Sequence, residues 1–353
     1  MDRDALLHLL RDEPLDALLA RADATRREAV GDVVHLRGLV EFSNVCVRNC
    51  LYCGLRAENR QTVRYRLTVD EVLAAAQRAV TDGADTIVLQ GGEVPGAHVE
   101  EIARMTARIK DTTGAAVTLS LGEHPTSAYR QWRQAGADRY LIKHETADPA
   151  LYARLHPGDT LAARLDAIAR LQDLGFMTGS GFIIGLPGQT LETLAKDIRL
   201  VKTLGVEMCG AGPFIPQAQT PLAHAPRGSV EQTLRVTAAL RLCVPGLHIP
   251  ATTALATLDP AAGQLRALMA GANVLMPGYT PEHRRRDYRI YDGKHAVAMD
   301  EALRVIAQAG RAVAPIMAAP GQDLRRSSCS IPPRVCACTS ACSADATPAS
   351  PPC

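Results

Sequence analysis

Eight short apolar runs, each followed by a helical stretch, recur from Leu36 onward, and this alternation constrains the fold of the 353-residue chain more than any other feature. The runs lie near 36–42 (LRGLVEF), 85–90 (DTIVLQ), 115–121 (AAVTLSL), 138–143 (DRYLIK), 178–184 (TGSGFII), 206–211 (VEMCGA), 247–253 (LHIPATT) and 272–276 (ANVLM). Between them sit patterns such as TVDEVLAAAQRAVTDG, HVEEIARMTARIKD and TLETLAKDIRLVKTLG. Several of these open on a Ser, Thr or Asp cap and close at Gly, as helices do. Eight strand–helix units at this spacing predict an α/β fold, a complete (β/α)8 TIM-type barrel over 36–317, rather than an open doubly wound sheet. Residues 1–35 read as a helical extension with leucines on one face. From 318 to 353 the chain is rich in Pro, Ser, Ala and Cys and carries almost no large apolar residue, a composition that cannot build a core.

Charge excludes some functions. Thirty-nine basic and 37 acidic residues leave a net charge of +2, too little for a nucleic-acid field. The basic run His283-Arg284-Arg285-Arg286 reads as a solvated turn. No apolar run reaches the ~18 residues of a membrane span. The acidic, amphipathic start MDRDALLHLLRDEPLDALL is neither a signal nor a transit peptide, so a cytoplasmic protein is expected.

Three cysteines after the first strand carry the chemistry: Cys46, Cys50 and Cys53, as C-x3-C-x2-C in NVCVRNCLYCGLR. Three thiolates fall one short of the four ligands of a structural zinc. They can hold three irons of a [4Fe–4S] cluster, whose full set is four, and leave the fourth iron open to a chelating amine and carboxylate. A disulfide or zinc-ribbon reading remains the alternative. Five further cysteines (Cys329, Cys336, Cys338, Cys342, Cys353) lie in the tail, as incidental thiols or as a second metal site.

Barrel enzymes collect their site at strand C-termini and the loops that follow. Gln90-Gly91-Gly92-Glu93 ends the second strand. Its glycines admit a ligand close to the backbone, and Glu93 can receive an ammonium group. Thr118 and Ser120 share one face of the third strand and either hydrogen-bond a ligand in the lumen or fill a barrel layer. Lys143 and Glu145 follow the fourth strand, where alternation would set them side by side as a pair. Thr252, Thr253 and Met276, at the seventh and eighth strands, can line a substrate cavity or equally fill the barrel.

Taken together, EFSNVC…NCLYCGLR, TIVLQGGE, VTLSLGE, GADRYL…HETA, GLPGQT, GPFIP…TPLA, IPATTA and GANVLMP follow the order of segments in the radical S-adenosylmethionine (SAM) maturases of [FeFe]-hydrogenase. The chain resembles that family from about residue 36 to 293. The resemblance implies a [4Fe–4S] cluster on Cys46, Cys50 and Cys53, with SAM chelated to it. It implies SAM contacts from Tyr52, Gly91, Gly92, Glu93, Ser120, Ile183 and Arg164, with Lys143 and Glu145 near the ribose or carboxylate. It implies a substrate cavity lined by Gln90, Thr118, Ser120, Arg164, Thr252, Thr253, Met276, Tyr288 and Tyr291. The substrate would be a sulfur-bearing iron–carbonyl–cyanide precursor and the partners other hydrogenase maturation proteins, with neither nucleic acid nor membrane involved. Some family members carry a second cluster just after the final strand. The matching stretch here, KHAVAMDEALRVIAQAGRAV, has no cysteine, so no such cluster is expected unless the tail thiols supply it. Two rivals stand beside this reading. One is a related radical SAM mutase or synthase acting on an amino acid, of the methylornithine synthase or biotin synthase kind; sulfur insertion would want more core thiols than Cys209 and Cys243. The other is a non-catalytic iron–sulfur carrier.

Overall fold

Seven parallel strands form one sheet in the computed structural model, which describes residues 1–315; the cysteine-rich tail lies outside the described residues. The strands are β1 (Val33–Ser43), β2 (Thr86–Gly91), β3 (Ala116–Ser120), β4 (Arg139–Leu141), β5 (Met177–Ile184), β6 (Met208–Pro213) and β7 (Val274–Leu275). Their order is β6-β5-β4-β3-β2-β1-β7. The segment expected as a strand over 247–253 is not one. It joins the two ends of the sheet by isolated bridges, Met208 to His248 and Pro250 to Val274. Cys209 N–H donates to His248 O at 3.0 Å and Ala251 N–H to Val274 O at 2.9 Å, so eight parallel segments close the ring. Pro250 explains the interruption: it has no N–H for the ladder. A two-residue β8 (Ala312–Val313), not expected from the sequence, pairs with the start of β1.

The helices are α1 (Arg3–Arg11), α2 (Leu15–Val30), α3 (Val69–Thr81), α4 (Val99–Thr113), α5 (Thr126–Gln134), α6 (Pro149–Leu155), α7 (Leu161–Asp173), α8 (Leu191–Leu204), α9 (Val230–Cys243), α10 (Thr253–Leu258), α11 (Gly263–Met269), α12 (Glu282–Arg285) and α13 (Met299–Gln308). Local chemistry sets their ends. Thr68 and Glu71 make a reciprocal capping box on α3, and Asp148 with Pro149 opens α6. Gly114 and Gly205 take left-handed conformations that close α4 and α8. The first two helices share the barrel's core: Leu6, Leu9, Leu10 and Leu18 are buried in it. Arg235 on α9 reaches back to Leu9 O at 3.2 Å and Glu13 O at 2.7 Å. Truncating one of those leucines to Ala costs about 2–5 kcal/mol.

Strand alternation sorts the lumen into layers. Leu39, Glu41, Gln90, Ser120, Leu141 and Ile183 border a cavity at the C-terminal end. Two residues back from Leu39, Ser120 and Leu141 along the same pleats lie Arg37, Thr118 and Arg139, in the layer beneath.

Candidate active site

The loop that carries the cysteines leaves β1 at a register shift between Glu41 and Ser43. Asn44 then anchors it: the side-chain amide donates to Val63 O at 2.7 Å and Asp287 O at 2.8 Å, and its oxygen accepts from Tyr65 N–H at 2.7 Å. Arg64 donates to Asn44 O and Leu55 O. Gly92 of the second strand end fits against the same loop. A Cβ there would lie 2.2 Å from Val45 O and 2.7 Å from Cys46 Cβ, so any side chain would displace the cysteines. The Glu93 N–H points at Cys46 Sγ, 3.4 Å away.

All three thiols are free and border one cavity of about 350 Å3. Burial raises the pKa of each. Cys53 is pushed to about 12, and Cys50 is raised further by its neighbours Cys53 and Cys46. Among the described residues no three His, Cys, Asp or Glu side chains converge on a point fit for a single metal ion. A cubane bound at separate iron corners requires no such convergence, and binding it would release the thiol protons. Cys209 and Cys243 do not border this cavity.

Gly91, Gly92 and Glu93 line the cavity, but Glu93 is not the isolated carboxylate that the sequence suggests. Arg48, inside the cysteine motif, pairs with Glu93 and with Asp159 and lies 3.7 Å from Glu123. Arg164 of α7 lies 2.7 Å from Glu123 and 3.8 Å from Glu93, and donates to Lys143 O at 3.3 Å. Two guanidiniums thus face three carboxylates, leaving net negative charge for a cation. Burial raises the Glu93 pKa in spite of both arginines. Gly122 (φ +77°) makes room for Glu93, whose carboxylate a Cβ there would meet at 2.0 Å.

Lys143 and Glu145 border the cavity without pairing, which corrects the expectation from alternation. The strand stops at Leu141, and Glu145 takes a left-handed backbone (φ +62°), rare outside glycine. Main-chain bonds to β5 hold it there: Glu145 N–H to Gly181 O at 2.9 Å and Ile183 N–H to Glu145 O at 3.1 Å. Its Oε2 is buried without a partner, and burial raises its pKa. A strained backbone and an unmet acceptor in one residue of a cavity wall mark a binding position.

Tyr52 and Ile183 make an apolar wall with Phe214. The Tyr52 O–H donates to His156 Nε2 at 2.8 Å, because His156 Nδ1 must donate to the Tyr152 carbonyl. Burial holds His156 neutral, with its pKa lowered to about 4. Gln90, Ser120, Thr253, Met276, Tyr288 and Tyr291 line the remaining surface. Thr252 lines it too, but its hydroxyl caps α10 by accepting from Leu255 N–H at 3.3 Å. Thr118 does not line the cavity; it sits in the layer beneath, 2% exposed, with Oγ1 unpartnered.

Sequence reasoning missed four titratable wall residues, Arg48, His156, Glu41 and Lys294, besides apolar ones such as Phe214. Glu41 pairs with Lys294 and accepts from Thr280 Oγ1 at 3.3 Å, and the Lys294 ammonium lies 5.2 Å from the Tyr288 ring centroid. A carboxylate inside the apolar run LRGLVEFS was the available signal; nothing local marks Lys294, 253 positions away. No helix among the described residues is long and apolar enough to cross a membrane.

The profile of the radical SAM superfamily matches residues 40–201. The [FeFe] hydrogenase maturase subunit HydE of Thermotoga maritima is 47% identical over 80% of this chain and 80% of its own length. A 3-methylornithine synthase of Methanosarcina acetivorans is 29% identical over 78% of this chain and 77% of its own. A crystal structure of methylornithine synthase superposes with a TM-score of 0.78 at 25% identity, covering 89% of this chain and 94% of that one. The chain belongs to the radical SAM superfamily, within the family of the HydE maturases of [FeFe] hydrogenase.

Proposed function

We propose that this enzyme cleaves SAM reductively at a [4Fe–4S] cluster held by Cys46, Cys50 and Cys53, and acts on a sulfur-bearing iron–carbonyl–cyanide precursor of the hydrogenase diiron subcluster. The observation that carries the reading is one cavity bordered by the three thiols, the Gly91–Glu93 strand end and Glu145, whose Oε2 is buried without a partner. The cluster, when bound, supplies the electron that breaks the SAM C–S bond to give a 5′-deoxyadenosyl radical. In the protein, Glu93 and its arginine-linked neighbours receive the methionyl amine. Arg164, charged and fixed by Glu123, offers its fork to the carboxylate. Glu145 and Lys143 take ribose hydroxyls, while Tyr52 and Ile183 cover the adenine. Gln90, Ser120, Thr253, Met276, Tyr288 and Tyr291 then enclose the substrate, and an enclosed lumen shields a radical from water.

An anaerobic maturation assay tests this. Apo-hydrogenase with the other maturation proteins and iron, sulfide and SAM gives active enzyme only when this chain is added. Equal hydrogenase activity without it would refute the maturase reading.

A further inference from the structure

The basic run that reads from sequence as a solvated turn is placed against the cysteine loop. Gly54, next to Cys53, donates its N–H to Ile290 O at 3.1 Å, and a Cβ on Gly54 would lie 2.0 Å from Arg289 O. On the other side of the loop, Asn44 ties Val63 O and Asp287 O together. Residues 283–290 and the cysteine loop therefore form one surface.

Two of the four arginines in 283–290 carry uncommitted charge. Arg284 is engaged, over the Tyr65 ring at 5.5 Å and 3.8 Å from Asp287, and Arg285 donates to Thr280 O at 2.7 Å. Arg286 and Arg289 are exposed and have no carboxylate within 4.0 Å among the described residues. Opposing charge nearby comes from exposed Glu282, half-buried Asp287, Glu71 at 3.8 Å from His283, and Glu58, which Arg56 of the same loop already pairs at 2.6 Å. Beside the arginines, Val63 is 62% exposed. Val47, between Cys46 and Cys50, is 51% exposed. These are the two most exposed large apolar side chains among the described residues, and both belong to this one loop region.

We propose that this face is the docking surface for a small acidic one-electron carrier protein, which reduces the cluster held just beneath it. The proposal rests on the cluster reading above, since each SAM cleavage consumes one electron. In the docking step one electron passes from the reduced carrier to the iron–sulfur centre, the carrier is oxidised by one, and no bond forms or breaks. Electron-transfer complexes are small and weak, and exposed arginines around a modest apolar patch suit that class. Charge steering raises their association rate and makes it salt-dependent. The arginines are not in the cavity wall, so SAM binding does not need them.

The test uses the full reconstituted chain, a reduced acidic ferredoxin as carrier probe and dithionite as chemical reductant. Arg286→Glu with Arg289→Glu should lower ferredoxin-driven 5′-deoxyadenosine formation at least tenfold at low salt and flatten its salt dependence. Cluster content and the dithionite-driven rate should stay at wild-type level. The milder Arg286→Gln with Arg289→Gln should give an intermediate loss, which guards against misfolding of the reversal variant. A ferredoxin-driven rate and salt dependence unchanged in both variants would overturn the proposal. Should the wild type fail with dithionite as well, the SAM-cleavage reading falls. The surface is then judged by anaerobic ferredoxin titration, where equal Kd for wild type and variant overturns it.

Discussion

The upper and lower lumen of this barrel are built on the same pleats yet treat polar groups oppositely. Above, Glu145 Oε2 and the Lys143 ammonium lack partners among the described residues and face a cavity of about 350 Å3. Below, most polar groups are turned on one another, while Arg37 Nε, Thr118 Oγ1 and His248 Nδ1 stay buried without a partner. Arg37 donates to the Met208 thioether at 3.0 Å, and Arg139 to the Met177 thioether at 3.2 Å and Thr86 Oγ1 at 2.7 Å. Thr86 in turn donates to Asp85, which also holds His35 at 2.7 Å. None of these lower residues borders the cavity. Arg37 is lowered to about 9 by burial and then by Arg139, and His248 to about 3 by burial and then by Arg37. The contrast separates unmet polarity that awaits a ligand from unmet polarity that the fold tolerates. The first should govern binding and the second stability.

The largest expected break falls on Asp85, the lower lumen's anion. Burial alone would raise its pKa, but hydrogen bonds from His35 and Thr86 outweigh that and keep it ionised. Asp85→Asn removes the carboxylate that holds His35 and Thr86 and offsets the Arg37 charge, and should cost about 1–3 kcal/mol in denaturant unfolding. SAM affinity per folded molecule should not change. Weakened SAM binding at full folding would erase the distinction between the two layers.

Glu145→Gln is the converse. It keeps shape and removes charge where the acceptor is unpartnered, so stability should hold or rise slightly. Equilibrium dialysis of the reconstituted protein should give a SAM Kd raised about tenfold, or ~1.4 kcal/mol. Unchanged SAM affinity would make Glu145 part of the scaffold.

Acid sharpens the comparison further. Half-buried His248 below and buried His144 and His156 above are all neutral, near 3, 3 and 4, with loss of solvent the leading cause in each. A histidine whose folded pKa is depressed is protonated first in the unfolded chain, so stability falls as pH drops from about 6.5 toward 4. Every tenfold difference in proton affinity between the folded and unfolded chain is worth ~1.4 kcal/mol. His248→Gln should flatten that slope without altering SAM affinity at pH 7.5; an unaltered slope would remove His248 from the acid response.

A smaller effect divides two neighbouring threonines. Thr252→Val loses the cap of α10, at about 1 kcal/mol in unfolding. Thr253→Val makes no such loss and should lower only hydrogenase maturation, leaving substrate-free SAM cleavage intact. Equal melting temperatures for both variants would contradict the assignment of the cap.

Much of this arrangement is legible in the residues because period-two and period-3.6 patterns are local, as are the cysteine spacing and the Gly-Gly-Glu strand end. What is not legible depends on long-range or unusual backbone geometry. Pro250 turns an expected strand into two bridges, and Glu145 leaves the pleat through a conformation that its residue type rarely adopts. The Glu41–Lys294 pair joins elements 253 residues apart. Thr118 shares a face with Ser120, which is why the pattern alone points it at the cavity, but a face spans two layers and only the upper one borders the cavity.

The central claim is that Cys46, Cys50 and Cys53 hold the cluster at which SAM is cleaved. The direct measurement is 5′-deoxyadenosine released under dithionite by anaerobically reconstituted wild type and by the variant with all three cysteines changed to Ala. Circular dichroism confirms that both are folded. The account expects product from the wild type and none from the variant, with loss of the iron–sulfur absorption due to these thiols. Wild-type amounts of 5′-deoxyadenosine from the folded variant would contradict it.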